Sequence, residues 1–102
     1  MTIIEVIKNK KQFLSLLLLA DEQENMIDRY LERGTMYVLN DNGVKAECVV
    51  TDECNGILEI KNIATVPEYQ GKGYAKALID FIVKEYADKY SVLQVGTGDS
   101  PL

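Results

Sequence analysis

Two glycines at alternate positions in Gln70-Gly71-Lys72-Gly73-Tyr74-Ala75 mark the stretch of this sequence best suited to chemistry. An extended, apolar segment from Ile57 to Val66 leads into it, and an amphipathic helix is predicted to start near Lys72. A glycine-rich turn between strand and helix leaves backbone N–H groups unpaired, with the positive end of the helix dipole behind them. Such a turn suits phosphate oxygens. Gly71 and Gly73 let the main chain approach a pyrophosphate with no Cβ in the way, and Ala75 is small enough for the first helical turn to pack tightly. The plain alternative is a tight connection that happens to use two glycines, since an isolated Gly-x-Gly is common.

Composition limits the other chemistries. A length of 102 residues makes one small domain, residues 1–102, with room for a single core. The net charge of −5, from 16 acidic and 11 basic residues, argues against a nucleic-acid partner, which needs a basic face. It mildly favours a cationic substrate such as an amine. The sequence has no histidine, the commonest metal ligand and general base. Cys48 and Cys54 alone do not make a zinc site, and both are expected to be free thiols in a reducing cytosol. The leucine run from Phe13 to Ala20 follows Lys8, Lys10 and Lys11 but is too short to span a membrane. Asp21, Glu22 and Glu24 follow it in place of a small-x-small cleavage site, so a buried helix is expected rather than a secretion signal. The protein is therefore expected in the cytoplasm, away from membranes.

Elements that would position the glycine turn follow from periodicity. Ile3 to Ile7 reads as a strand. Asn9 with Gln12, and then Asp21 with Glu24, resemble capping boxes that open two helices. The second helix would place Met26, Ile27, Tyr30 and Leu31 on one face and end at Gly34 as a C-cap. Thr35 to Asn40 and Val44 to Thr51 read as strands joined by Asn42-Gly43, a type I′ hairpin signal, and Asn55-Gly56 signals a second hairpin. After the glycine turn, Tyr74, Leu78, Ile82 and Tyr86 form one apolar stripe flanked by Ala75, Ile79 and Val83. Ser91 to Val95 is the last predicted strand. A dinucleotide fingerprint would need a glycine at position 76, which is Lys76. Gly96 to Ser100 lacks the ending of a phosphate loop.

The order strand, two helices, three-strand meander, glycine turn, helix and strand resembles the GNAT superfamily of acyl-coenzyme A-dependent N-acetyltransferases. Gln70, Gly73 and Ala75 occupy the defined positions of that family's Gln/Arg-x-x-Gly-x-Gly/Ala signature, and Asn62 to Tyr69 resembles the run leading into it. The resemblance implies an α+β fold, a mixed and mainly antiparallel sheet flanked by helices in the order β-α-α-β-β-β-α-β. A further helix with an aromatic residue and a closing hairpin normally follow in the family and are absent from this sequence.

The resemblance also implies roles. Main-chain N–H groups of Gln70, Gly71, Lys72, Gly73, Tyr74, Ala75 and Lys76 would hold the diphosphate of acetyl-CoA, with Lys72 or Lys76 adding charge. Ile63, Ala64 and Thr65 would pair their backbone with the pantetheine arm, and the Ile63 N–H would polarise the thioester carbonyl. Glu59 lies 11 residues before Gln70, the spacing of the catalytic glutamate in the histone-acetyltransferase branch. It would deprotonate the attacking amine. By strand alternation it shares a face with Lys61 and Ile63 unless a bulge intervenes, and its alternative is a strand carboxylate paired with Lys61. Asp99 is the second candidate base, while Tyr69 and Tyr74 read as packing residues. The implied activity is direct attack of a primary amine on acetyl-CoA in a ternary complex, without a metal. The alternative is a non-catalytic CoA-binding or interaction module. A homodimer covering an open sheet edge is expected in either case.

Overall fold

The structure is a computed structural model that describes residues 1–95. Its centre is a five-stranded sheet in sequential order: β1 (Thr2–Val6), β2 (Thr35–Asn40), β3 (Val44–Asp52), β4 (Ile57–Thr65) and β5 (Val92–Val95). The first four strands run antiparallel and β5 joins β4 in parallel. That reversal requires a crossover, which α3 (Tyr74–Tyr86) supplies. Two short helices, α1 (Leu14–Ala20) and α2 (Glu24–Asp28), lie between β1 and β2. The predicted element order and the α+β class both hold.

Each sheet face has its own apolar cluster. Leu78 and Ile82 of α3 are fully buried against Leu39, Cys48, Val50, Leu58 and Ile60, with Ile63 packed at the margin. The predicted α3 stripe is correct, although Phe81 and Ala77 flank it while Val83 remains exposed. On the opposite face, Leu17 of α1 and Ile27 of α2 pack with Tyr30, Leu31, Met36, Val38 and Val49.

Both hairpin predictions hold through their backbone. Asn42 and Gly43 have φ of 57° and 105°, and Asn55 and Gly56 have φ of 57° and 77°, the left-handed values that tight hairpins of this hand demand. The capping boxes do not form. Asn9 is left-handed and its side chain caps nothing; Lys10–Phe13 makes a 3₁₀ turn ahead of α1. The second helix is short: after Asp28 the chain winds on through single N–H···O=C turns from Ile27 to Gly34. Gly34 is no left-handed C-cap. A Cβ there would meet the Tyr30 carbonyl at 2.8 Å and Val49 Cγ1 at 2.9 Å, so close approach to β3 demands the glycine. Lys10 reaches inward to this turn and donates to the carbonyls of Leu31 and Gly34, both at 2.8 Å. Among the described residues, no helix is long and apolar enough to cross a membrane.

Candidate functional site

The glycine turn lies at the C-terminal end of β4. Pro67–Tyr69 form a 3₁₀ turn, Gly71 and Gly73 adopt φ of 80° and 87°, and Gly73 is the residue before α3. A Cβ built on either glycine would meet nothing within 4 Å. Their requirement is therefore conformational, and the space in front of them is open. The helix starts at Tyr74, two residues later than the sequence suggests, because the left-handed Gly73 cannot itself be helical.

The amides of the turn divide into two groups. Gln70 N–H donates to the Pro67 carbonyl at 3.3 Å, so it is already engaged. The first bond returning into the helix is Ala77 N–H to the Gly73 carbonyl at 3.0 Å. Between them, no group among the described residues accepts from the N–H of Gly71, Lys72, Gly73, Tyr74, Ala75 or Lys76. Six consecutive unpaired donors at a helix N-terminus form an anion-binding surface.

Side chains fix this surface in place. Tyr74 donates from its hydroxyl to Asp41 Oδ2 at 2.8 Å, which ties the start of α3 to the β2–β3 hairpin and holds the Tyr74 phenol above its ordinary range. Lys45 Nζ lies 3.9 Å from the Tyr69 ring centroid and holds the 3₁₀ turn. Gln70 donates through its side chain to the Thr65 carbonyl at 3.4 Å. Lys76 is paired with Asp80 at 2.8 Å, whereas Lys72 has no partner among the described residues.

A cleft of about 450 Å³ connects the turn to the end of β4; Ile63, Ala64 and Thr65 form one wall and Gly71, Gly73 and Ala75 another. Val66 N–H donates across to the Lys45 carbonyl of β3 at 2.8 Å. Antiparallel alternation then points the Ala64 amide at β3 and those of Thr65 and Ile63 at the opposite edge. Over the described residues β5 accompanies β4 only as far as Ile60. Sequence reasoning missed Leu19, a 51% exposed residue of α1 that closes the cleft beside Ile63. Nothing in an unbroken leucine run singles it out.

Glu59 is elsewhere. Its partner in β3 is Thr51, and the register slips between Val49 and Val50, so Lys61 is an extra, bulged residue of β4. Before the bulge Leu58 and Ile60 face α3; after it Ile63 does, while Asn62 faces α1 and donates to the Leu17 carbonyl and to Tyr30 Oη, both at 3.0 Å. The bulge therefore places Glu59 on the α1 face, opposite the Ile63 side chain, and corrects the simple alternation. The Glu59 carboxylate is nearly buried, lies 2.6 Å from Lys61 Nζ and accepts a hydrogen bond from Gln94. Glu53 is 3.9 Å from the same ammonium; hydrogen bonding from Thr51, together with Lys61 and Arg33, holds its carboxyl below the usual range. Asp99 and the Gly96–Ser100 loop lie outside the described residues.

A third acidic residue escaped sequence reasoning. Glu47, on the α1 face of β3, is fully buried with no hydrogen-bond partner for either carboxylate oxygen among the described residues. Burial pushes its carboxyl up to about 8. Its side-chain pattern in sequence is that of any half-exposed strand residue. Both cysteines are free, Cys48 buried and Cys54 exposed, and no group of metal-ligating side chains occurs among the described residues.

A mixed sheet whose fourth strand ends in an amide-lined turn, with a cleft running back along that strand, defines an acyl-CoA acyltransferase architecture. A family model described as an acetyltransferase (GNAT) domain matches residues 32–99. The chain belongs to the GNAT acetyltransferase family. It is 33% identical over 93 residues to an uncharacterized N-acetyltransferase, YvbK, of Bacillus subtilis (strain 168), covering 89% of this chain and 60% of the relative. Among solved structures, a GNAT family acetyltransferase from Elizabethkingia anophelis with acetyl-CoA bound superposes with a TM-score of 0.84 at 29% identity, covering 92% of this chain and 63% of the other. A Bacillus subtilis acetyltransferase in complex with CoA gives a TM-score of 0.82 at 31% identity, with coverages of 98% and 67%. The chain thus spans about 60% of the length of the curated relative.

Proposed function

We propose that this chain binds acetyl-CoA and transfers its acetyl group to a primary amine by direct attack in a ternary complex. The observation that carries this reading is the run of amides from Gly71 to Lys76, unpaired among the described residues and opening onto a cleft along the part of β4 that the described residues of β5 do not accompany. The diphosphate binds these amides, with Lys72 adding charge. Alternation directs the Ile63 and Thr65 amides toward the pantetheine arm, and Ile63 N–H polarises the acetyl carbonyl. Ala64 contributes through its position in the cleft wall rather than through its amide. Gln70 holds the strand end with its side chain. Because a thioester is already activated, positioning and carbonyl polarisation supply most of the rate, without a covalent enzyme intermediate. Relatives solved with acetyl-CoA or CoA support the choice of ligand.

Glu59 is the proposed base. The contact that supports it is its own ion pair: a nearly buried carboxylate already accepts from a primary ammonium at 2.6 Å. The same contact favours a second reading, a CoA-binding module without turnover, since Lys61 and Gln94 occupy that carboxylate. Calorimetric titration with acetyl-CoA, followed by thiol release over a panel of amines, separates the two: binding with amine-dependent release supports the enzyme, binding alone the module. Glu59→Gln is expected to lower kcat about a hundredfold or more, the usual range for a lost general base, and to change the pH–rate profile. An unchanged profile removes Glu59 from this role.

The assembly that accompanies this reading is a two-fold dimer across β5, where Val92 and Val95 are 47% and 38% exposed. Light scattering that gives a monomer at micromolar concentration excludes it.

A further inference from the structure

Lys61 is the one lysine whose ammonium is already held by the proposed base, and the fold places it there deliberately. It is the extra residue of the β4 bulge, with no Cα partner in β3, while its neighbours Ile60 and Asn62 pair with Val50 and Val49. Bulges re-aim side chains beside functional sites. Here the result is a side chain only 23% exposed, with Nζ 2.6 Å from Glu59 Oε2 and 3.9 Å from Glu53 Oε2. Glu53 Oε2 already accepts from Thr51 Oγ1 at 2.6 Å and from Arg33 Nη2 at 3.3 Å, and Glu59 is the carboxylate in closer contact with this ammonium.

The remaining lysines with described partners differ. Lys10 donates to carbonyls of the α2 turn, Lys45 to the Asn42 carbonyl, Lys11 to Glu24 and Asp28, and Lys76 to Asp80, so none of them is held by Glu59. Lys61 precedes Ile63 by two residues, about 6.6 Å of extended strand. A four-carbon stem with free torsions spans that distance.

We propose that Lys61 is itself an acetyl acceptor, so that the chain modifies its own β4 from bound acetyl-CoA. This rests on the acetyl-CoA reading above. Glu59 takes a proton from the Lys61 ammonium, and the freed Nζ lone pair forms a bond to the acetyl carbon. The carbon–sulfur bond breaks and its electron pair leaves with the CoA sulfur as thiolate; the nitrogen sheds its second proton to solvent, the thiolate takes one up from solvent, and Glu59 then releases its own proton to solvent. The products are Nζ-acetyl-lysine and free CoA. Acetylation also removes the cation that ties down Glu59, so the carboxylate becomes available to an external amine. The modification would thus convert a plugged site into an open one.

Incubation of the purified chain with acetyl-CoA, followed by peptide mass spectrometry, tests this. The expected result is one acetyl group on Lys61, ahead of the more exposed Lys72 and Lys76, with excess free CoA suppressing it. Glu59→Gln should slow the labelling about a hundredfold or more, the loss expected for a missing proton acceptor. Lys61→Arg keeps the ion pair and should lose the label. Acetylation that follows exposure and spares Lys61, in a sample whose calorimetry shows acetyl-CoA binding, overturns the proposal and leaves the CoA reading standing. Absence of acetyl-CoA binding overturns both.

Discussion

The glycine turn and the bulged middle of β4 are adjacent in sequence yet work by opposite means. The turn offers main-chain donors: its side chains point away or brace it, and the chemistry lies in N–H groups that every residue type except proline supplies. The bulge offers side chains: Glu59, Lys61 and Gln94 form a nearly closed polar knot, with Glu47 and Asn62 in the same face of the sheet. Binding by backbone survives most substitutions and fails only when the chain path changes. Binding by side chains fails with a single atom.

The sharpest way to break this contrast is to change the chain path at the turn. Gly73→Val places a branched residue at φ of 87°, where an L-residue costs about 1–2 kcal/mol. No neighbour lies within 4 Å of the new Cβ, so the least costly relief is a local backbone rotation that misaligns the amides of Tyr74 to Lys76. We expect acetyl-CoA affinity to fall about tenfold to a hundredfold by calorimetry, or about 1.4–2.8 kcal/mol. The thermal midpoint should fall by only several degrees, as about 1 kcal/mol implies for a domain of this size. Unchanged affinity would mean that the amides do not carry the ligand.

The second test concerns the buried face. The folded Glu47 carboxyl keeps its proton up to about pH 8, while the unfolded one releases it near its ordinary value of 4.5. Between these limits the unfolded chain binds fewer protons, so stability falls as pH rises across the window, by up to about 1.4 kcal/mol per pH unit. Below the window the two states hold the proton equally and the slope vanishes. Glu47→Gln should remove the slope in urea unfolding and leave acetyl-CoA affinity intact. A wild-type stability that is flat from pH 5 to about 8 would show that a cation or water reaches this carboxylate, making the face as open as the turn.

What the sequence revealed divides along the same line. The turn was legible because left-handed backbone needs glycine, and α3 because Leu78 and Ile82 repeat at helical spacing. The hairpins were legible through Asn42-Gly43 and Asn55-Gly56 for the same conformational reason. The bulge at Lys61 was not: Ile60-Lys61-Asn62 holds no glycine or proline, and the slip is set by pairing with β3. That one residue moved Glu59 to the other face from Ile63. Gly34 misled because close packing against Val49 and left-handed capping call for the same residue. Asn9 misled because a capping side chain acts only from an extended backbone, and here φ is 53°. Glu47 hid because strand alternation separates faces and does not report which face a helix will cover.

The smallest expected effect asks whether side-chain charge contributes at the turn at all. Lys72 has no partner among the described residues, whereas Lys76 is held by Asp80 on the next turn of α3. Both are exposed, so water screens each of them and each adds little to the binding of an anion at the helix N-terminus. Lys72→Ala should weaken acetyl-CoA binding about twofold to fivefold at low salt, and the difference should shrink as the Debye length falls below about 10 Å near 0.1 M. Lys76→Ala should do less, because the Asp80 contact already compensates its charge. A larger effect at Lys76 would mean that the ligand draws this ammonium away from Asp80. In that case Asp80→Asn should raise affinity by freeing the lysine beforehand, and the turn would share the side-chain dependence that otherwise belongs to the bulge.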